Sequence, residues 1–262
     1  MEIKEIKASS IISKSGIPGA DFVINPYVGC SHACIYCYAR FMKRFTGHAE
    51  PWGTFVDAKI NAPELIPKNT DKFKGKSIYI SSVTDAYMPI EEKYRLTRRI
   101  LENLIPLQPN LSIQTKSDLV LRDMDLLKQF KNVEVGFTIT TLDESLRNEI
   151  EPFASPSINR LNALKQFKAA GFRTFVFIGP IMPYLTKWKD ILENTSRYTD
   201  HYLIDQLNPY AAVWGSVMAW LRQKYPNMVE DYLNLNNYWS NLGQEIVSYC
   251  KKERLNAWVL FG

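Results

Sequence analysis

Three cysteines fall within eight residues, in the string Asn25-Pro26-Tyr27-Val28-Gly29-Cys30-Ser31-His32-Ala33-Cys34-Ile35-Tyr36-Cys37-Tyr38-Ala39-Arg40. A compact loop with this C-x3-C-x2-C spacing can aim three thiolates at three corners of one [4Fe–4S] cube. An ordinary electron-carrier cluster takes four thiolates, one per iron. The fourth cysteine of the chain, Cys250, lies more than two hundred residues further on. One iron would then lack a protein thiolate and could accept an exogenous ligand. Gly29 suits a loop that brings backbone close to an inorganic cluster. Two other uses of the cysteines stay open at this point. Structural zinc wants four Cys or His ligands; His32 or His48 could supply the fourth, although no second short-spaced pair exists. Cys250, in the helical stretch GQEIVSYCKKE, could complete an electron-transfer cluster or serve as a small apolar residue.

Composition narrows the setting. The chain has 262 residues, 46% hydrophobic, 23% charged and 13% aromatic, which excludes a disordered chain; 12 Gly and 14 Pro exclude collagen-like or linker-dominated material. Disulfide scaffolds spread paired cysteines through short secreted chains, whereas here three crowd together in a chain large enough to bury a core. The opening MEIKEIKASS alternates charged and apolar residues and lacks the apolar region of a secretory signal. No apolar run approaches the roughly 18–20 residues of a membrane span. A soluble, cytoplasmic protein with no membrane partner is expected. The net charge of +5 is compatible with an anionic substrate or nucleic acid, but the basic groups at 40–44 and 68–76 are ordinary solvated faces as much as a phosphate-tracking surface.

The elements that must position the cysteines alternate between strand and helix. Strand patterns cover 23–28, 76–82, 111–115, 133–140, 172–178 and 202–207. Helical patterns cover 91–104, 119–130 with Asp118 as its cap, 157–170 with Gly171 as its stop, and 188–198. The helix at 157–170 carries an apolar stripe of Ile158, Leu161, Leu164 and Phe167. Two aromatic-rich helical stretches, 217–224 and 228–252, and a short strand AWVLF close the chain. Repeated βα units imply a parallel sheet. Six strands are too few for a closed eight-stranded barrel, so the fold expected is α/β, a partial (β/α)6 TIM-like barrel with a C-terminal helical extension. Residues 1–210 form the barrel core and 211–262 a helical cap of the same domain. In such barrels the loops at the carboxyl ends of strands build the site, and the first of them holds all three clustered cysteines.

The cysteine pattern, with an aromatic residue before the third Cys, resembles the radical S-adenosylmethionine superfamily, and the string NPYVGCSHACIYCYAR resembles its spore photoproduct lyase-like branch. The resemblance implies the same partial barrel, one [4Fe–4S] cluster on Cys30, Cys34 and Cys37, and S-adenosylmethionine chelated by the open iron. It implies reductive cleavage to a 5′-deoxyadenosyl radical that abstracts hydrogen from an organic substrate, with a reductase such as flavodoxin or ferredoxin as electron donor. By the same resemblance Tyr36 lies by the adenine, and Ser82, Thr84 and Asp85 (in SSVTDAYMP) contact the methionine amine. Lys116 pairs with the cofactor carboxylate and the Thr138 hydroxyl reaches the cofactor. Arg160 is either a carboxylate contact or a helix-surface ion pair. Tyr38 corresponds to a tyrosine linked to hydrogen-atom transfer, with packing as the competing role.

Glu151-Pro152 matches a further feature of the branch, and Asn208-Pro209-Tyr210 a possible lining of the substrate mouth. Two departures stand out. Lys187 occupies a place where the branch has an acid, and Ser81 and Ser82 stand near where the lyase has an additional cysteine. The substrate, small molecule or nucleic acid, is left unassigned. The alternatives are a DNA photoproduct-type repair lyase and a non-enzymatic metal-binding or Fe–S sensor protein.

Overall fold

The structure, a computed structural model, describes residues 1–68, 73–208 and 210–261. Eleven strands are described: β1 (Glu2–Ile6), β2 (Ile12–Lys14), β3 (Phe22–Ile24), β4 (Tyr27–Gly29), β5 (Phe55–Lys59), β6 (Ser77–Ile80), β7 (Asn110–Thr115), β8 (Val133–Thr138), β9 (Arg173–Ile181), β10 (His201–Gln206) and β11 (Ala257–Val259). Eight of them form one sheet in the order β2-β3-β6-β7-β8-β9-β10-β11. Every neighbouring pair from β3 to β11 is parallel, and β2 is antiparallel at the edge. The expected six parallel strands are therefore consecutive neighbours, with the terminal strand added beside β10.

The sheet is amphipathic with period two. Ile78, Ile80, Leu111, Ile113, Val135 and Phe137 are buried in the main core with Leu101 and Leu104 of the helix Leu96–Leu104 and with Leu164 and Phe167 of the helix Ser157–Ala169. The alternate residues are polar and bond to one another. Tyr79 donates to Gln114 at 2.7 Å, Gln114 to Thr138 at 3.0 Å, and Ser112 to Glu134 at 3.0 Å.

Several elements differ from the sequence reading. The expected strand 23–28 divides at Asn25-Pro26, because proline has no N–H to continue a ladder. Its first part, β3, joins the main sheet; its second, β4, joins a separate three-stranded sheet in the order β1-β5-β4. Asn25 ties the break to the end of β6, its Oδ1 accepting the N–H groups of Ser82 at 2.9 Å and Val83 at 3.1 Å. The helix expected at 91–104 breaks at Arg95, whose φ is 50°, into Glu91–Tyr94 and Leu96–Leu104. Glu91 causes the break to be worthwhile: fully buried, its carboxylate accepts Thr97 N–H at 3.1 Å, Arg122 at 2.8 Å and the Tyr27 hydroxyl at 2.5 Å.

The helix expected at 119–130 is a 3-10 turn (Asp118–Asp123) followed by a short α-helix (Met124–Leu127), and Ser117 rather than Asp118 caps it. Ile158 is 53% exposed, and the buried place on that helix belongs to Arg160. The last helical stretch is interrupted, running as Val229–Leu233 and Tyr238–Lys252. A second core joins the cysteine loop to the C-terminal segment. Cys34 and Tyr36 pack there with Leu146, Ile150, Val213, Val217, Leu221 and Tyr232.

Candidate active site

The cysteine loop leaves β4 at Gly29, whose φ is 78° and whose added Cβ would lie 2.5 Å from the Phe55 carbonyl oxygen. Glycine is therefore needed here for the close approach of β5. Cys30 and Cys34 are buried, Cys37 is half-buried, and all three are free thiols. Together with Tyr36, Tyr38, Ser82, Thr84, Asp85, Lys116 and Thr138 they line one cavity of about 190 Å³. Its lining is drawn from β6, β7, β8, β9 and β10 and the segments that follow them, and includes the hydrogen-bonded chain Tyr79–Gln114–Thr138.

Several of these residues are occupied in holding the loop. The Thr84 hydroxyl donates to the Gly29 carbonyl at 2.6 Å, and Ser82 Oγ accepts from Asn25 at 3.3 Å. Asp85 accepts the Thr115 hydroxyl at 2.7 Å and the N–H groups of Lys116 and Tyr87, both at 2.9 Å, and faces His32 Nδ1 at 3.4 Å. Burial pushes its carboxyl up, but His32, Thr115 and the Lys116 N–H together hold it below the usual carboxylate range. One carboxylate thus joins the ends of β6 and β7 to the cysteine loop.

Lys116 is different. Its ammonium lies 5.8 Å from the centroid of the Tyr36 ring and makes no hydrogen bond or ion pair with any described residue. Burial pulls its pKa down, yet the charges of Cys34, Glu151, Asp85 and Cys37 outweigh that and raise it. The cavity therefore holds a fixed cation with free donors. Behind it, the Tyr36 hydroxyl donates to Glu151 and lies 3.2 Å from Thr140. Burial, then Glu151, pushes the Tyr36 phenol up.

Arg160 does not line the cavity. It is fully buried, with Nη2 at 2.5 Å from Glu151 and Nη1 donating to the Thr138 carbonyl at 3.0 Å. Of the two roles expected for it, a cofactor carboxylate contact or a helix-surface ion pair, an ion pair is formed, but in the interior. Burial works against the Glu151 charge, but Arg160 and then Lys116 lower its pKa to about 2. Tyr38 is 46% exposed and its hydroxyl donates to the Ser82 carbonyl; burial first, then the Cys37 charge, pushes its pKa up to about 12.

The thiols themselves repel as thiolates. Burial, then Asp85, Cys37 and Cys34, drives the Cys30 pKa up, and Cys34 is pushed up to about 12 by burial, with Lys116 acting in the opposite direction. Three such thiols ionise together only around a shared cation, which fits a metal cluster. Among the described residues no three Cys, His, Asp or Glu side chains converge to hold a single metal ion. Of the histidines considered for zinc, His48 is not among the cavity residues and His32 is. His48 lies between Glu50 and Asp57, at 3.0 Å from each, and His32 faces Asp85. Cys250 is buried in the main core and is not among the cavity residues.

Asn208 lines the cavity, but Tyr210 pairs with Arg44, and Pro209 lies outside the described residues. Lys187 is not part of the lining. Sequence reasoning missed Tyr79, Gln114 and Asp205 as cavity residues, whereas His32, considered there as a zinc ligand, does line the cavity. For the first two a signal existed: polar side chains that alternate with Ile78 and Ile80 on one strand and with Leu111 and Ile113 on the next.

The sequence profile of the radical SAM superfamily matches residues 24–194. An uncharacterized protein of Methanocaldococcus jannaschii is 44% identical over 253 residues, 97% of this chain and 95% of its own length. A radical SAM Nα-GlyT isomerase of Pseudomonas phage M6 is 23% identical over 169 residues, 63% of this chain and 34% of its own length. A solved structure of spore photoproduct lyase complexed with dinucleoside spore photoproduct matches with a TM-score of 0.70 at 16% identity, covering 99% of this chain and 82% of that one. The chain belongs to the radical SAM superfamily and is a radical SAM enzyme with the partial TIM-like barrel that spore photoproduct lyase also has. Among the described residues no helix is long and apolar enough to cross a membrane.

Proposed function

We propose that this enzyme holds one [4Fe–4S] cluster on Cys30, Cys34 and Cys37 and binds S-adenosylmethionine at the remaining iron. When bound, the cluster and S-adenosylmethionine together supply reductive carbon–sulfur cleavage to methionine and a 5′-deoxyadenosyl radical, which abstracts hydrogen from an organic substrate. The observation that carries this reading is a single cavity walled by three thiols and an unpaired lysine ammonium. Lys116 receives the cofactor carboxylate as a charge-assisted partner. Tyr36 presents its ring to the cofactor while Glu151 and Thr140 hold its hydroxyl back. Ser82 and Thr138 offer hydroxyl groups to the cavity, and Asp85 keeps the ends of β6 and β7 in register with the cysteine loop. Arg160 acts behind the wall by holding the Thr138 carbonyl.

Tyr38 is the residue suited to hydrogen-atom relay, because it lies on the cavity wall beside Ser82. Among the described residues the three clustered cysteines are the only thiols on that wall, so a further cysteine is not the hydrogen donor and thymine-photoproduct repair is disfavoured. A cytoplasmic one-electron reductase of the flavodoxin or ferredoxin class supplies the electron. Anaerobically reconstituted protein with reductant is expected to convert S-adenosylmethionine to 5′-deoxyadenosine and methionine. Cys34→Ala is expected to lose both iron and cleavage. Stoichiometric zinc with no iron-dependent turnover would favour the metal-binding protein instead.

A further inference from the structure

Arg40 ends the string that carries the cysteines, and its guanidinium turns back onto that loop. Nε donates to the Cys37 carbonyl at 3.0 Å, and Nη2 to the carbonyls of Ile35 at 2.7 Å and Cys34 at 3.3 Å. Nη1 points the other way, to the Ala212 carbonyl at 3.2 Å and the Ser216 hydroxyl, both in the helix Ala211–Lys224. Among the described residues no carboxylate pairs with it. Arg44, one helical turn further on, donates to the Tyr210 hydroxyl and extends the same clamp.

Two of the three loop carbonyls belong to cysteines of the cluster site, and the third lies between them. A guanidinium is a rigid planar fork, so it fixes the peptide planes that follow Cys34, Ile35 and Cys37. Its positive charge, not cancelled by a neighbouring acid, also favours any added negative charge on a cluster held by those cysteines. Charge, hydrogen bonding and burial around the ligands are the means by which a protein sets cluster potential.

We propose that Arg40 is the positioning residue of the cysteine loop, locking it to the C-terminal helix and raising the reduction potential of the bound cluster. The step affected is the uptake of one electron, from a flavodoxin- or ferredoxin-class reductase, that takes the cluster from its 2+ to its 1+ state. The proposal rests on the cluster reading given under Proposed function.

The test is a redox titration of the full chain, reconstituted anaerobically and followed by the paramagnetic resonance of the reduced cluster. Arg40→Gln removes charge and fork, while Arg40→Lys keeps the charge and loses the fork. At equal iron and sulfide per chain, the glutamine variant is expected to titrate at a more negative midpoint than wild type, and the lysine variant to shift less in the same direction. A glutamine variant that titrates at the wild-type midpoint overturns the proposal. Where the glutamine variant holds no cluster, the lysine variant decides: a negative shift supports the role and a wild-type midpoint overturns it. Wild-type protein that takes up no iron–sulfur cluster overturns the underlying cluster reading; a normal wild-type cluster with unshifted variants overturns the role of Arg40 alone.

Discussion

Lys116 and Glu151 show how much of this site is electrostatic arrangement. The lysine stands free inside the cavity, and the carboxylate behind it is neutralised from the other side by Arg160. A charged hydrogen bond contributes about 1.5–3 kcal/mol, so Lys116→Gln is expected to weaken S-adenosylmethionine binding about ten- to a hundred-fold, read by equilibrium binding to the cluster-loaded protein. Unchanged affinity would remove Lys116 from the cofactor site. Glu151 contributes to stability. Its pKa falls from the ordinary 4.5 to about 2 on folding, which corresponds to about 3 kcal/mol. A depressed carboxylate stabilises the fold above its unfolded pKa, and that contribution is lost as pH falls from 4.5 towards 2. Glu151→Gln is therefore expected to be markedly less stable to urea at pH 7, with the gap closing below pH 4.5; a gap independent of pH would contradict the ion-pair account. The three cysteines stand out by type and local spacing, whereas Tyr36 and Lys116 stand out only through the family resemblance; all five line one cavity. The partnership of Tyr36 with Glu151 was not legible, since it joins residues 115 positions apart, and Glu151 was visible only as a feature shared with a family.

At the scale of elements, alternation identified the parallel strands but not the small sheet beneath the cysteine loop. β1 and β5 pair across some fifty residues, and neither is flanked by a local turn that would announce the other. Proline breaks a ladder, and the hydrophobic run through Pro26, which reads as one strand in the sequence, lies in two different sheets. The same sheet explains Gly29. Alanine there adds left-handed backbone strain of about 1–3 kcal/mol and meets Phe55 backbone at 2.5 Å, so β4 must shift and Cys30 with it. Gly29→Ala is expected to retain secondary structure by circular dichroism while binding less iron after reconstitution; full iron occupancy would show that β5 does not fix the loop. The helix break at Arg95 was hidden for another reason: a buried carboxylate, Glu91, caps the second helix from within the first.

Across the whole molecule, one hydrophobic core contains both the cysteine loop and the C-terminal helices, and β11 closes onto β10. The cysteine loop therefore packs directly against the C-terminal helices. The proposed function rests on the number of thiolates that the chain gives to the proposed cluster. Mössbauer spectroscopy of the iron-57-reconstituted wild-type protein, without and with S-adenosylmethionine, measures it directly. The account predicts four irons of which one changes its spectrum when S-adenosylmethionine is added, while the other three do not. Four irons that all remain unchanged, or a site without iron, would contradict it.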